Sequence, residues 1–191
     1  MRNSSGKTAI SRVNPSRAAR YFADQLSSGQ TLLDWGCGDG KDISFYRSLG
    51  LDADGYDQDD SKGFTIPHDR QVSGFLYDNV TCSFVLNVIR TRSDRISCLE
   101  DAASWLRTGG AMFVAARSRK EIDRLAAKGN KAGKWPRQGD GYISSRSRDT
   151  FQHGLTVGEL EELIGDAGLA CDAAWGDAIP NAVVAFARKY R

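Results

Sequence analysis

The sequence has few of the residues from which metal sites and disulfide frameworks are built. It contains only two histidines and four cysteines, and no two cysteines have the spacing of a C-x-x-C pair. Such isolated cysteines argue against a zinc site or a disulfide framework and favour a reducing compartment. We therefore predict no metal and a cytoplasmic location. The four cysteines are Cys37, Cys82, Cys98 and Cys171.

Long apolar runs are also lacking. No stretch approaches the ~20 apolar residues that a membrane-spanning helix needs. The first residues, Met1 to Ser5, lead into a polar stretch without the apolar core of a secretory signal. The sequence therefore predicts a protein without a membrane partner.

The overall charge is small, at +2, but it is unevenly distributed along the chain. Residues 1–20 carry five basic and no acidic residues, and residues 117–148 carry ten basic and three acidic residues. The intervening and following segments are acidic. We expect an anionic partner, such as a nucleic acid, to contact the two basic segments, although a solvated surface would explain them equally simply.

The length of 191 residues suits one domain with a substantial core. Residues 1–28 form a predicted basic arm and helix, in which Asn14 and Pro15 resemble a helix cap and first helical residue. Residues 29–191 form the predicted main domain, with a basic insertion at 117–150. The oligomeric state has no signal in the sequence.

An α/β fold is predicted from the order of the apolar segments. A short strand, a glycine loop, a helix and a second strand follow one another within residues 31–57, which is the size of a βαβ unit. The last two strands are joined by only about six residues and should pair antiparallel. Predicted strands occupy 31–35, 53–57, 79–86, 111–116, 169–175 and 182–187, and predicted helices 16–26, 41–49, 92–106, 118–127 and 156–167.

The glycine loop carries the most specific chemistry in the chain. It reads Asp34-Trp-Gly36-Cys-Gly38-Asp-Gly40, and the second strand ends at Asp57. Glycines let the backbone approach a ligand closely, and an acid such as Asp57 can accept both hydroxyls of a ribose. A dinucleotide site wants G-x-G-x-x-G, and the Asp34 carboxylate would repel a pyrophosphate. The loop instead favours an adenosyl ligand with a positive charge, and a nicotinamide oxidoreductase is the less favoured alternative.

With these motifs in order, the chain resembles the class I S-adenosylmethionine-dependent methyltransferases over residues ~30–190. The resemblance rests on the glycine loop, on Asp57, on the strand from Asp78, on Leu106 to Gly110 and on the final strand pair. It implies a Rossmann-like, mostly parallel seven-stranded sheet with an antiparallel last strand, helices on both faces, and S-adenosylmethionine as cofactor. The cofactor-binding residues that it implies are Asp34, Gly36, Cys37, Gly38, Gly40, Asp57, Gln58, Ser83 and Phe84.

A narrower resemblance concerns methyltransferases encoded beside DNA phosphorothioation genes. The segments that carry it are Gly6 to Arg12, Pro15 to Arg17, Val85 to Ile89, Gly139 to Gly141, Ser144 to Arg146 and Thr150 to Gln152. It implies a link to DNA modification. The chain nevertheless lacks the Asn/Asp-Pro-Pro-aromatic sequence of amino-directed DNA methyltransferases and the Pro-Cys of cytosine C5 enzymes.

The predicted activity is methyl transfer to a nucleic acid, a nucleotide-like compound or a small molecule. Candidate acid, base or orienting groups are His153, Tyr142 and Asn87, with Asp140 as a further one, but no spacing singles out any of them. A packing or solvent-facing role is as good an interpretation of His153. The alternative function is a non-catalytic module that binds the cofactor and uses its basic segments to hold DNA or a protein.

Overall fold

The computed structural model describes residues 13–59 and 63–190. The strands are β1 Thr31–Trp35, β2 Asp52–Tyr56, β3 Tyr77–Ser83, β4 Leu106–Arg117, β5 Arg137–Gln138, β6 Gly141–Ser145, β7 Thr150–Gln152, β8 Ala170–Trp175 and β9 Ala182–Arg188. Six of them form the main sheet, in the order β2-β1-β3-β4-β9-β8. The first four strands in this order are parallel, and β9 runs antiparallel to both of its neighbours.

Helices cover both faces of this sheet, which confirms the predicted Rossmann-like α/β fold. Leu99 and Leu160 pack on one face, whereas Phe22 and Ile43 pack on the other. The central strands are buried on both sides, as parallel strands between helix layers must be. The helices are α1 Arg17–Ala23, α2 Lys41–Ser48, α3 His68–Val72, α4 Arg92–Ser104, α5 Arg119–Lys128 and α6 Val157–Asp166, with a 3-10 turn at Leu86–Val88.

Capping patterns in the sequence predict where two helices begin, and the structure confirms the start of α6 but not the capping residue of α1. The spacing of Thr156 and Glu159 in the sequence predicts a capping box, and the two residues form one at the start of α6. The prediction that Asn14 caps the first helix is wrong. Ser16 is the cap, because its hydroxyl accepts the backbone N–H of Ala19 at 2.9 Å. The Ser16 backbone N–H also donates to Asp42 at 2.7 Å, which ties the start of α1 to the start of α2.

The expectation of a seven-stranded sheet is wrong in number for the described residues. The short helix α3 lies where the resemblance implied a further strand, and none of its residues is buried. The segment 63–76 contains Pro67 and Gly74 and lacks a long β-rich apolar run. These features disfavour a further strand of the sheet in this segment.

Much of the second half of the basic insertion at 117–150 forms short strands. Strands β5, β6 and β7 form a separate antiparallel sheet beside the main one. This sheet gives little sequence signal, since β5 has two exposed residues and β6 shows no clear burial alternation. None of the helices in the described ranges combines the length and apolar character that crossing a membrane requires.

Candidate active site

A cavity of about 600 Å³ opens at the carboxyl ends of the parallel strands. Its walls come from the glycine loop after β1, the ends of β2 and β3, the 3-10 turn, the start of α1 and the end of β7. The carboxyl edge is where open α/β sheets bind ligands, and the volume lies within the usual range for small-molecule sites. We therefore take this cavity as the candidate active site.

The glycine loop forms one wall mainly with its backbone. Gly36 and Gly38 have positive φ angles of 77° and 55°, a conformation that glycine adopts without strain. The backbone N–H groups of Gly36 and Cys37 donate to the carbonyl of Tyr56 at 2.7 and 3.1 Å. A Cβ on Gly36 would lie 2.3 Å from Cγ2 of Val85. The loop therefore has to be glycine at position 36 to reach the end of β2.

Asp57 lies on the same wall and fixes the loop from the other side. Its Oδ2 accepts the backbone N–H of Gly38 at 2.8 Å, and its Oδ1 accepts that of Asp59 at 2.9 Å. A carboxylate offers about four lone pairs, so acceptor capacity is left for a ligand. Asp57 thus combines a structural contact with an exposed edge toward the cavity.

Asp34 and Gly40 are the two predicted cofactor residues that do not line the cavity. Asp34 is buried beneath the loop, where it accepts the Thr81 hydroxyl at 2.8 Å. Gly40 precedes α2 with a φ of 67°, and a Cβ there would overlap the Phe64 ring at 2.2 Å. Gly40 therefore shapes the loop through packing, and Asp34 lies beneath the loop.

Cys37, Gln58, Ser83 and Phe84 all lie on the cavity wall, together with Gly36, Gly38 and Asp57. Burial, followed by the charges of Asp34 and Asp57, raises the pKa of the Cys37 thiol far above its usual value. This environment disfavours the thiolate form of Cys37, which is the form that acts as a nucleophile.

Phe84 is the wall residue with unusual backbone geometry. It has a positive φ of 62°, which is uncommon for a bulky residue. Its backbone N–H donates to the Ala115 carbonyl at 2.7 Å, so the end of β3 is held in this conformation by β4.

Comparisons with known proteins assign the fold and the family. A family profile described as a methyltransferase domain matches residues 9–174. The chain belongs to this methyltransferase family. No curated protein sequence matches it.

Several solved structures share the fold of the methyltransferase. One is the Burkholderia thailandensis 1,6-didemethyltoxoflavin-N1-methyltransferase with bound S-adenosylhomocysteine, at 16% identity and a TM-score of 0.61, covering 91% of this chain and 77% of that one. CcbJ methyltransferase from Streptomyces caelestis has 16% identity and a TM-score of 0.63, covering 99% and 96%. DesVI from Streptomyces venezuelae has 15% identity and a TM-score of 0.63, covering 90% of each chain.

S-adenosylmethionine is the cofactor of this methyltransferase, and the described residues fit it. The loop at Gly36 leaves no room for a Cβ, as a backbone cradle requires. Asp57 keeps lone pairs on the wall for ribose hydroxyls. No group of three or more histidine, cysteine or acidic side chains in the described part is placed to hold a metal ion.

Asn87 is the candidate catalytic residue that the structure brings to the cavity. It is 3% exposed, lies in the 3-10 turn and lines the wall. Its Nδ2 donates to Oε1 of Gln152 at 3.4 Å, but its buried Oδ1 has no hydrogen-bond partner among the described residues. A buried polar atom without a partner is costly, so this oxygen is suited to a hydrogen-bond donor on a ligand.

His153 does not line the cavity, although its neighbour Gln152 does. It is 3% exposed, and its Nδ1 lies 2.9 Å from the carbonyl oxygen of Asp140. Burial, together with the charge of Arg95, lowers the pKa of His153. The backbone N–H of His153 donates to the Asn87 carbonyl at 2.8 Å, so this segment supports Asn87 through its main chain.

Tyr142 and Asp140 also lie off the wall. The Tyr142 hydroxyl donates to Asp123 at 2.9 Å, and that bond raises its pKa. Asp140 accepts two hydrogen bonds from the buried Arg95, at 2.6 and 3.1 Å. Burial alone would raise the pKa of Asp140, but the bond from Arg95 and the charge of His153 lower it.

Several wall residues were not predicted from the sequence. They come from α1, α2, β4 and β7, which no motif connects: Arg17, Arg20, Lys41, Arg117 and Gln152. The basic N-terminal segment was a signal for two of them. The sequence suggested a nucleic-acid surface for this segment. In the structure the bond from Ser16 to Asp42 holds the start of α1 beside the glycine loop, so Arg17 and Arg20 line the cavity. Residues 1–12, which carry part of that segment and of the narrower resemblance, lie outside the described residues.

Proposed function

We propose that this methyltransferase transfers the methyl group of S-adenosylmethionine to a nitrogen or oxygen of an acceptor held against Asn87. The observation that carries the proposal is the cavity itself, which has a glycine-backbone wall at Gly36 and Gly38 and a buried, unsatisfied oxygen of Asn87 in the same space. These two features suit the two reactants of a transfer reaction.

The cofactor would be held by the residues that the family resemblance implied. The backbone at Gly36, Cys37 and Gly38 would line its methionine part, and Asp57 would accept its ribose hydroxyls. Asp34 would act on the methionine amino group from beneath the loop. When bound, the cofactor supplies a methyl group on a sulfonium, which already has a good leaving group.

Gln58 would lie beside the adenine, and Ser83 and Phe84 would approach the methionine part. This assignment is supported by their positions on the cavity wall. The constrained backbone of Phe84, with its φ of 62°, favours a fixed placement of that ring at the end of β3.

The acceptor would be oriented rather than deprotonated by the chain. No histidine lies on the cavity wall among the described residues, and the Cys37 thiol has a strongly raised pKa. Asn87 Oδ1 would accept an N–H or O–H of the acceptor, which fixes the direction of its lone pair. The new bond to the methyl carbon forms as the bond from that carbon to sulfur breaks, and the proton of the methylated group would then leave to solvent water. Positioning and water exclusion can supply much of the rate when the acceptor needs no base.

A nucleic-acid acceptor is the second candidate, in line with the predicted link to DNA modification. It is favoured by exposed cations around β5, β6 and β7 that form no ion pair with described residues: Lys131, Lys134, Arg146 and Arg148. The aromatic ring of Tyr142 lies in the same segment, where its hydroxyl donates a hydrogen bond to Asp123.

The cofactor half of the proposal is tested by calorimetry with S-adenosylhomocysteine. Asp57→Ala should weaken its binding by about 1–3 kcal/mol, because charge-assisted hydrogen bonds are lost. Asp69→Ala is the matched control, since Asp69 lies on the exposed helix α3 away from the cavity. No binding to the wild-type chain, or equal losses in both variants, would contradict the site.

The transfer half is tested in the same preparation with labelled S-adenosylmethionine. Acceptor-dependent formation of S-adenosylhomocysteine, with oligonucleotides and cell metabolites supplied in separate arms, is the expected result. Binding of the cofactor without turnover in either arm would favour the non-catalytic module instead.

A further inference from the structure

The cavity wall includes cationic residues that form no ion pair or hydrogen bond through their side chains with the described residues, although the charge of one of them, Arg117, acts on Glu121. They are Arg17, Arg20, Lys41 and Arg117. Nine other arginines of the described part form ion pairs. The cations of the cavity therefore differ from the usual arginine of this fold, which faces a carboxylate.

Three of these cations belong to one side of the cavity. Arg17 and Arg20 lie three residues apart on α1, so they project from the same face of the helix. Arg117 ends β4, where it is paired in register with Ala182 of β9. Ala182 packs in one apolar cluster with Ala18 of α1, which brings the end of β4 and the start of α1 together.

The cofactor cannot balance this charge. S-adenosylmethionine has two positive groups, its ammonium and its sulfonium, and a single carboxylate, so it adds net positive charge to the cavity. The acidic residues of the wall are Asp39 and Asp57, with Asp34 buried below. Positive charge is therefore in excess once the cofactor is bound, and a cleft of one sign concentrates ligands of the other.

Resting on the proposed function, we infer that the methyl acceptor is a small molecule with an anionic group, a carboxylate or a phosphate, bound by Arg20 and Arg117. Guanidinium groups match the geometry of both anions with paired hydrogen bonds. Asn87 then accepts a hydrogen bond from the N–H or O–H of the same molecule. The wall would therefore select an acceptor that has an anionic group at one end and a hydrogen-bond donor at the other. A small molecule is favoured over DNA because these arginines line the cavity, apart from the exposed cations around β5–β7.

The first test uses inorganic phosphate and acetate as separate probes. Each is titrated by calorimetry, at constant chloride, into the protein saturated with S-adenosylhomocysteine. Replacing Arg20 and Arg117 together by glutamine should weaken binding of the recognised anion about tenfold. The matched control removes the same charge outside the cavity, with Lys128→Gln and Arg146→Gln, and should change binding less than ~2-fold.

Equal losses in the two double variants, or no loss in either, would overturn the inference. S-adenosylhomocysteine affinity is measured in every variant. If the wild-type chain does not bind that compound, the proposed function fails. If it binds and the anion titrations do not separate the variants, only the anionic acceptor is wrong.

The second test locates the natural acceptor by charge. A cell extract is separated on an anion-exchange resin at neutral pH, treated with nuclease, and assayed for release of S-adenosylhomocysteine. The expected activity lies in the retained, nuclease-resistant fraction. Activity in the unretained fraction, or activity that nuclease abolishes, would overturn a small anionic acceptor.

Discussion

The two walls of the cavity are built in different ways. The wall proposed for the cofactor, called the cofactor wall below, comes mainly from two short stretches, 35–39 and 56–58. They are held together by bonds from the backbone N–H groups of Gly36, Cys37 and Gly38 to Tyr56 and Asp57. The wall proposed for the methyl acceptor, called the acceptor wall below, comes from residues that lie far apart in the chain. Among them are Arg20, Asn87, Arg117 and Gln152. A wall of the first kind leaves a spaced motif in the sequence, whereas a wall of the second kind leaves isolated residues.

The same contrast separates what each wall tolerates. Positions on the glycine wall are restricted by backbone angles and by a lack of space for Cβ, as at Gly36. Positions on the acceptor wall are restricted by chemistry, because the proposed contacts are made by the side-chain oxygen of Asn87 and by the cations of α1. Substitutions on the two walls should therefore fail in different measurements.

The largest expected effect is that of Gly36→Ala on cofactor binding. The new Cβ would lie 2.3 Å from Val85 at a φ of 77°, so both strain and overlap displace the loop. The left-handed conformation alone costs about 1–2 kcal/mol, and with the overlap we expect a loss of about a hundredfold in S-adenosylhomocysteine affinity by calorimetry.

Gly109→Ala is the control for that loss. Gly109 has the same φ of 77°, but a Cβ there would meet nothing within 4 Å, and it does not line the cavity. It should lower the free energy of unfolding by about 1 kcal/mol and leave cofactor affinity unchanged. A similar affinity loss in both variants would mean that the effect is on the fold and not on the cofactor wall.

The fold was predicted well wherever the signal is local. The strand at 31–35, the capping box of Thr156 and Glu159 and the antiparallel final pair each depend on neighbouring residues, and all are confirmed. The sheet β5–β7 was missed because its strands are short and half-exposed. The seventh strand, which the main sheet lacks among residues 13–59 and 63–190, was implied by family resemblance, which carries no information about how Pro67 and Gly74 alter this segment.

The site shows the same division. Seven of the nine predicted cofactor residues line the cavity. The glycine spacing fixes where the backbone turns after β1, and the others lie at or just after the carboxyl ends of β2 and β3. Among the candidate acid, base or orienting residues, His153 was chosen for its chemistry, yet it is its neighbour Gln152 that reaches the wall. Adjacent residues of an extended segment point to opposite sides, and the sequence does not tell which side faces the cavity.

A smaller effect, confined to turnover, is expected on the acceptor wall. Asn87→Leu removes the oxygen that would hold the acceptor but keeps the backbone carbonyl that His153 binds. We expect kcat/KM for the acceptor to fall about tenfold, which corresponds to the loss of one hydrogen bond in a buried site. S-adenosylhomocysteine affinity should stay within ~2-fold of the wild type, since this wall does not hold the cofactor.

Asn87→Asp distinguishes this positioning role from a purely structural one. It retains an oxygen at the same place and should recover part of the activity that Asn87→Leu loses. If both variants lose activity equally, or if Asn87→Leu weakens cofactor binding as strongly as it slows turnover, the separation of the two walls is wrong.

The smallest expected effect is a dependence of stability on pH that arises behind the acceptor wall. Burial and the charge of Arg95 lower the pKa of His153 from its usual value of 6.5, and Arg119 acts in the same direction against the opposing charge of Asp140. Between that lowered pKa and about 6.5, the unfolded chain binds a proton that the folded protein excludes. The free energy of unfolding should therefore fall as the pH drops through this window, by less than about 1.4 kcal/mol per pH unit for one proton.

Urea unfolding at a series of pH values measures this slope. The variant His153→Gln should flatten the slope. The control variant His68→Gln changes the other histidine, which is exposed on α3, and should preserve the slope. A slope that survives His153→Gln would place the titrating group elsewhere, and the link between the Asp140 segment and Asn87 would then rest on backbone contacts alone.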